Sequence, residues 1–599
     1  MDRRSVIVLL LSFLLLMVWY PLTTRLFPPV PLPGGTNTLA TATNETITNI
    51  SQVATQAPTL VPAPEADPLS SQPFRPPGPE ETLTVEDENA RYVFTSHGGG
   101  VKLVELKQYR ATVACDRKSR SDTNNLASLN TLAPVPALAI LGAAELQGDG
   151  VFKLTKTDSG VRAEKSLPNG LSIVKEYRLS TNYLLKAVVR FVNRTSEPIT
   201  LPPHEWVVGT ATPMGARDES LMMGMQWYNG TRAEDVGQAY FDNRTMGCFP
   251  GQPRFFYQAG ASNVFWASAH NQFFALIGVP DQAASGLLCR RVDLPPPTPE
   301  QLAEDSKTVA KPFGYQVSFR YPGFTLGPNQ TLERRSELYA GPKEYYTLSR
   351  LGNHLDLVMR FGFFGFFAKA LLLSMNGLHA LGLSYGLAII VITVIIKLAF
   401  WPLTNASTKS MKRMAALQPQ MKAIQEKYKD DPRKMNMKLM EFMKENRVSP
   451  LGGCLPMVLQ IPVFIGFYTM LQSAIELRGA RFLWACDLSR GDTIWTIPGV
   501  EFPINPMPLL MGATMLWQAR MTPPSPGMDP VQQSIMKYMP LLFMVFLYNF
   551  SAGLTLYWTV QNLLTIVQMK VTRATDPRTL PGAKPTLPAS APMKKKHRP

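Results

Sequence analysis

The alternation of apolar and polar side chains changes character three times along the chain. Residues 5–24 carry no charged side chain and follow Asp2-Arg3-Arg4, a basic start before an apolar core that reads as a secretory signal. The exit, Trp19-Tyr20-Pro21, offers no small-residue cleavage site, so residues 1–24 are expected to stay as an anchor. Residues 25–81 lose all periodicity, with prolines spread among Thr, Ser, Ala and Asn; such a stretch cannot bury a core and is expected to be an extended tether. From 82 to 342 the runs become short and alternate, as in Ser172-Ile173-Val174-Lys175-Glu176-Tyr177 and Lys186-Ala187-Val188-Val189-Arg190-Phe191, with Gly, Pro and Asn between them. That pattern predicts a large antiparallel β-sandwich. Trp206, Trp227 and Trp266 within it are either core residues or the lining of a groove.

Charge-free runs return at 383–396, 448–475, 502–519 and 538–569. The last is too long for one membrane span of about 20 residues and is read as two. Orientation follows from where Lys and Arg collect, since short cytoplasmic loops are enriched in them. Residues 404–452 hold eleven basic and five acidic side chains and residues 570–599 eight basic and one acidic, whereas the loop 476–501 holds three basic. With Arg3-Arg4 inside, six spans at about 5–24, 383–403, 453–475, 504–519, 536–549 and 553–570 put both basic segments in the cytoplasm. A seventh span at 361–381 would reverse them. The region 343–381 is therefore expected to lie on the outer membrane surface as an interfacial helix, with Arg360 and Lys369 reaching to headgroups. The fold class expected is an α-helical membrane bundle of five core spans (382–571) plus the N-terminal helix, with the β-sandwich outside, both termini in the cytoplasm and a basic tail at 572–599.

Between the second and third spans, 404–452 reads as a helical hairpin. Met414, Leu417, Met421, Ile424 and Tyr428 recur at three and four residues, Asp430-Asp431-Pro432 breaks the helix, and Met435, Leu439, Phe442 and Asn446 resume the period. Met414, Met421, Met435 and Met443 are candidates for an adaptable contact surface. The plainer alternative is that the two stripes pack on each other.

Polar groups inside the oily segments are the informative chemistry. Lys397 lies four residues before Trp401, about 6 Å along a helix axis. A Lys at mid-bilayer costs about 2.5 to 3.5 kcal/mol, while one near an end can snorkel; both readings stand for this residue alone. In the last span Leu556, Val560, Leu563 and Val567 form one apolar stripe, and Thr555, Tyr557, Trp558, Thr559, Gln561, Asn562, Thr565 and Gln568 fill the rest. Such a helix cannot be surrounded by lipid. Gln460 in the third span and Gln518 at the end of the fourth add polarity, so a wet cavity with one fixed positive charge and no carboxylate is expected within the bundle. The fourth and fifth spans are short for a core of about 30 Å, and local thinning of the bilayer is the expected accommodation.

Composition removes other classes. A wholly soluble enzyme is excluded by the long charge-free runs. Five scattered cysteines without CxxC give neither a disulfide framework nor a zinc site. His204-Glu205 lacks the second His of HExxH, and His97-Gly98-Gly99-Gly100 lacks the Lys of a phosphate loop. No catalytic constellation, metal site or cofactor is called for. A solute transporter or channel is the alternative, though five core spans with one off-centre Lys do not divide into the paired repeats usual there; a carbohydrate enzyme built on the β-domain would need a carboxylate pair that does not stand out.

Trp401-Pro402-Leu403-Thr404, Leu417-Gln418-Pro419, Ser449-Pro450-Leu451-Gly452-Gly453-Cys454, the run DPVQQSIMKYMP at 529–540 and Gly553-Leu554-Thr555-Leu556-Tyr557-Trp558 resemble, in order and spacing, the YidC-type membrane protein insertases. The motifs cover about 395–570, and the outline of anchor, tether, β-domain and five-span core extends the resemblance to the whole chain. It implies a Gram-negative form with a periplasmic β-supersandwich similar to sugar-mutarotase folds, in the bacterial inner membrane. It also implies a hydrophilic groove centred on a basic residue, here Lys397, with Thr393 and Trp558 facing the inserting segment. Gln460, Gln518, Tyr557 and Asn562 complete the candidate groove. Nascent membrane proteins, the ribosome, the Sec translocon and membrane lipids are the implied partners, with no specific nucleic-acid sequence. Two positions depart from the family pattern: Ser449 stands where Asn is usual, and Phe550-Ser551-Ala552-Gly553 replaces a Pro-Ser-Gly turn. Lys in place of the more usual Arg removes the guanidinium fork and keeps the charge.

Overall fold

The computed structural model describes residues 76–113, 125–214, 222–243, 252–299, 309, 311–446, 455–497, 502–521 and 530–574. The N-terminal anchor, most of the tether, the motif at 449–454 and the tail beyond 574 lie outside the described residues. The chain divides into two compact units after Arg360.

The first unit is all-β at its core, with every named strand pairing antiparallel. A nine-stranded sheet runs, in spatial order, Ala233–Gly237, Gly224–Tyr228, Trp266–His270, Phe274–Pro280, Thr331–Pro342, Leu184–Asn193, Leu171–Leu179, Gly160–Ser166 and Lys153–Thr157. A five-stranded sheet holds His204–Ala211 and Phe313–Tyr321 near its middle, and these two pack on Trp266–His270 and Phe274–Pro280 of the larger sheet. The two sheets make the expected sandwich. Residues such as Ala187, Val189 and Phe191 alternate inward along Leu184–Asn193, the period-2 signature of a strand with one covered face. The sheets approach closely at Gly278, where an added Cβ would stand 2.9 Å from the Phe319 ring and 3.0 Å from Val208. Trp206, Trp227 and Trp266 are all buried, which is the core reading of these residues.

Trp266–His270 is buried at every position because a strap follows the last strand back across the sheet. The helix Tyr345–Arg350 and the 3-10 turn Leu355–Val358 form it. Trp266 Nε1 donates to Asn353 O at 3.0 Å and Gln226 Nε2 to Leu357 O at 2.9 Å. The strap ends on an ion pair, Arg360 to Asp235 at 2.8 Å, and Asp235 also meets His270 Nε2 at 3.2 Å. Arg360, expected to reach the lipid headgroups, is held by this carboxylate with more than half of its side chain exposed.

Lys175 is the most unusual side chain of the unit. It is fully buried, and its ammonium donates to the carbonyls of Gly98 (2.7 Å) and Leu138 (2.9 Å) above the Phe152 ring. Tyr177, two residues on and so on the same face, donates to Gly99 O at 2.6 Å. Together they pin the Gly98-Gly99-Gly100 bend, whose first two residues have positive φ. Of the cysteines, Cys289 is free and buried, and Cys486 is disulfide-bonded, which the scattered spacing did not foretell.

The second unit is helical: α1 Gly365–Ala380, α2 Tyr385–Ala399, α3 Trp401–Ala416, α4 Gln418–Lys427, α5 Pro432–Glu445, α6 Leu455–Ser473, α7 Pro506–Met521, α8 Pro530–Phe546 and α9 Ala552–Ala574. Among the described residues no helix is long and apolar enough to cross a membrane. Length and composition contribute: α2, α7 and α8 have 15, 16 and 17 residues, α6, with 19, carries Gln460 and Pro462, and α9, with 23, is interrupted by Thr, Asn and Gln. α1 buries Ala368, Leu371, Leu372 and Met375 and exposes Phe363 just before it and Phe366 within it; Lys369 is half-buried.

Burial pushes the Lys175 ammonium down to about 7, with the nearby Lys165 charge adding to the effect. Because the unfolded chain would hold that proton up to the ordinary 10.5, unfolding takes up a proton between pH 7 and 10.5, and stability should rise with pH across that window. One such group contributes about 1.4 kcal/mol per pH unit. Denaturant unfolding of the β-unit between pH 7.5 and 9.5 should show this slope, and Lys175→Met should reduce it.

Candidate functional site

Helix α9 organises the second unit. Its N-terminal amides are capped from outside, Ala552 N by Arg490 O at 2.7 Å and Gly553 N by Leu488 O at 2.9 Å, which satisfies donors that a helix leaves open. Thr555, Thr559, Asn562 and Gln568 are all buried; spacings of four and three set the first three along one side, while Gln568, six residues beyond Asn562, is turned toward a different neighbour. Buried polar groups need partners, and each neighbour supplies one. Asn562 Nδ2 donates to Thr514 Oγ1 of α7 at 3.1 Å, and Gln568 Nε2 to Thr404 Oγ1 of α3 at 2.6 Å. Lys397 Nζ of α2 donates to Thr565 Oγ1 at 2.8 Å, and that hydroxyl donates in turn to Gln561 O at 2.7 Å.

Lys397 is buried and, among the described residues, pairs with no carboxylate. The reading in which it snorkels past lipid to water is therefore set aside: its side chain turns into the bundle toward α9. Thr393, one turn earlier, is also buried and returns its hydroxyl to Ile389 O at 2.6 Å, so it faces the same interior without meeting another helix's polar group. Gln460 of α6 donates to the Tyr557 hydroxyl at 3.4 Å, while the Tyr557 ring stacks on Phe467 at 4.2 Å. Trp558 is half-buried between Phe464 (4.8 Å) and Phe543 of α8 (5.9 Å). Gln518 is half-buried on the last turn of α7.

Five of the seven residues expected to line a groove follow α9 in two groups, with Thr393 and Gln518 outside both. Lys397 and Asn562 share one stretch, Thr565 lying three residues after Asn562, and Gln460, Tyr557 and Trp558 form another nearer its start. Eight residues separate Tyr557 from Thr565, about 12 Å of rise. Thr514 and Thr404 were not among the groove candidates; the only signal for Thr514 was a lone hydroxyl in an otherwise apolar run, and Thr404 stood in a polar stretch with Asn405, Ser407 and Thr408.

The hairpin is closed on itself. Asp431 caps α5 by accepting from Lys434 N at 3.1 Å, with Pro432 in the first turn. Met414, Met421 and Leu439 form its buried seam, with Leu417, Ile424, Met435, Phe442 and Met443 packed against them. The four methionines expected to offer a contact surface are thus taken up by the seam, the plainer of the two readings, since stripes at helical period on adjoining helices bury each other first. Met437 and Met440, on the other side of α5, are exposed.

Residues 82–373 match the family model of the YidC periplasmic domain, and residues 377–578 that of the 60Kd inner membrane protein. The membrane protein insertase YidC of Geobacter metallireducens is 31% identical across 95% of this chain and 97% of its own length. The chain belongs to the YidC family of membrane protein insertases. Its counterpart in Pelobacter propionicus is 45% identical over 249 residues, 41% of this chain and 46% of that protein. A crystal structure of an active YidC insertase with its first transmembrane domain resolved covers 85% of this chain and 96% of its own at 15% identity, with a TM-score of 0.35, too low to carry an argument. The YidC family is one of bacterial inner-membrane insertases with a periplasmic domain, and it is not a family of enzymes.

The Asn562–Thr514 contact is open to a double-mutant cycle. Asn562→Leu and Thr514→Val should each destabilise the helical unit, and the coupling between them should be about 0.6 to 1.7 kcal/mol, the range for hydrogen bonds between helices in a bilayer. Reversible unfolding in mixed micelles measures it.

Proposed function

We propose that this chain is an inner-membrane insertase and chaperone that moves short polar segments across the membrane beside the polar side of α9 and releases apolar helices into lipid. One observation carries the reading: burial in the helical unit is inverted. Lys397, Thr393, Asn562 and Gln568 are inside, while Ile395, Leu398, Val545, Phe546, Leu563 and Val567 are exposed. In water a helical unit does the opposite. In lipid the cost of exposing Leu or Val disappears, and association rests on packing and interhelical hydrogen bonds.

On this reading α2, α6, α7, α8 and α9 are the five core spans, α3 to α5 the cytoplasmic hairpin and α1 the interfacial helix. The short spans rise only about 24 Å in 16 residues, against a hydrocarbon core of about 30 Å, so the bilayer thins around them and the polar path is shortened. Thr565 supplies the Lys397 ammonium with one acceptor, and an ammonium has three donors. The remaining capacity suits a carboxylate or a peptide carbonyl of a client's leading segment. Trp558, Tyr557 and Gln460 offer a mixed apolar and polar surface farther along the same helix, and Gln518 adds polarity at the end of α7. Nascent membrane proteins are the substrates; the ribosome and the Sec translocon are the further partners, supported by the basic charge of the hairpin and of the segment from Lys570 onward.

The charge of Lys397 is testable apart from its shape. Lys397→Arg should be nearly neutral, and Lys397→Met should slow clients whose translocated segment is acidic. A unit charge at about 4 Å through an effective dielectric near 20 is worth about 4 kcal/mol before desolvation is subtracted, so a loss of one to two orders of magnitude is expected for acidic leaders and less for neutral ones. Insertion into proteoliposomes, with folding checked by protease resistance, reads it. Equal wild-type rates for both leaders with Lys397→Met would end the idea.

A further inference from the structure

The segment joining α6 to α7 forms a compact cap over the end of the bundle where α2, α7 and α9 begin. Phe482 lies against Gly386 at the start of α2, so closely that a Cβ there would sit 2.2 Å from its ring. Asp492 accepts from Met507 N at the start of α7, at 2.7 Å, and from Trp484 Nε1, also at 2.7 Å. The carbonyls of Leu488 and Arg490 hold the first amides of α9. On the outer flank Glu476 accepts from Asn376 of α1 at 2.8 Å.

What the cap buries and what it shows are the reverse of an ordinary loop. Asp487 and Asp492 are buried, whereas Arg481 and Arg490 are exposed. Leu483, Trp484, Ile494, Trp495 and Phe502 are exposed as well, Leu483 by 72%. Leu483 and Trp484 form the tip of a tight turn closed by Phe482 N to Ala485 O at 3.0 Å and Ala485 N to Phe482 O at 2.9 Å. Asn and Gly are the residues suited to such a tip. Here Leu483 takes the left-handed backbone at φ 53°, a conformation that costs a bulky residue of order 1 kcal/mol or more. An apolar side chain held in water at that cost lacks a local reason.

We propose that this cap is a membrane-interface anchor, its Leu483-Trp484 tip and Trp495 seated at the headgroup and acyl boundary of the leaflet on that side, with Arg481 directed to lipid phosphate. The assignment rests on the reading of α6 and α7 as spans. Both helices end at the cap, so the chain itself holds it at the bilayer surface. Trp places an apolar ring and a polar N–H where one side is oily and the other wet, and Arg meets phosphate through its fork. The exposed Phe366 side of α1, joined to the cap through Asn376 and Glu476, continues the same apolar rim. With Asp487 and Asp492 turned inward and Arg481 and Arg490 exposed, the outward charge of the described part of the cap is complementary to anionic lipid.

The full-length protein in vesicles containing phosphatidylglycerol tests this by subtraction. The emission lost on Trp495→Phe isolates Trp495, and the emission that remains includes Trp401, Trp517 and Trp558 on the helices. Trp495 should be quenched by lipid brominated high on the acyl chain more than by lipid brominated near its end, and spared by aqueous iodide. Leu483→Asn, which suits the left-handed turn and removes the apolar tip, should shift Trp495 toward iodide quenching while protease resistance is unchanged. Quenching of Trp495 by iodide but not by lipid would overturn the proposal. Protection from both would overturn it too, in favour of a covering protein. If the remaining tryptophans also escape every brominated lipid, the membrane reading itself fails.

Discussion

A polar group removed from water has to be given another partner, and the helical unit is arranged around meeting that demand for one helix. Residues 555 to 568 of α9 bring hydroxyls and amides into the interior at helical spacing, and α2, α3 and α7 answer with Lys397, Thr404 and Thr514. Each answer fixes a helix against α9 at a particular depth and rotation, which apolar packing alone leaves loosely defined when the surroundings are as oily as the side chains. The same demand explains the cap. It completes the amides at the starts of α7 and α9, and the buried Asp492 does so with a carboxylate at a helix N-terminus, where negative charge is favoured. The exterior is left free to be apolar.

The β-unit meets the demand in its own way. Lys175 spends its donors on two backbone carbonyls, Gly98 in the glycine bend and Leu138 in a separate segment, and the strap after Pro342 supplies carbonyls to Trp266 and Gln226, which the sheet turns toward it. The strap closes on Asp235, reached by both His270 and Arg360. Neither device offers a substrate a reactive group: the carboxylate is already engaged and the ammonium is sealed from solvent. That fits a family whose chemistry is the handling of polypeptide segments.

The sandwich was legible because alternation survives in strands such as Leu184–Asn193, and the hairpin because Asp431-Pro432 marks a helix start. The polar side of α9 was legible because eight polar residues in one charge-free run have no reading in lipid. Partners were not. Nothing local distinguishes Thr514 from any other threonine in an oily helix, and Arg360 looked like a headgroup contact because Asp235 is far away in sequence. The four methionines of the hairpin carried the right period for two outcomes, and only the geometry of adjoining helices separates a seam from an open surface. The inward-turned carboxylates of the cap were likewise invisible, since a loop with acidic and basic residues in similar number reads as solvated.

The strand order of the larger sheet has a consequence for how the protein is made. Leu184–Asn193 pairs from Leu184 to Val192 with Thr331–Pro342, the last strand of the unit, and that strand also joins Phe274–Pro280. Until residue 342 has been synthesised, the other eight strands exist as two unjoined ribbons, each with an open edge. The nascent chain therefore passes a long interval with unpaired β-edges before the first helix of the second unit begins, and slow, non-local pairing of this kind is where a chain is most exposed to wrong partners. Prompt delivery to the far side of the membrane, away from other unfinished chains, is a requirement that the protein's own topology places on its biogenesis.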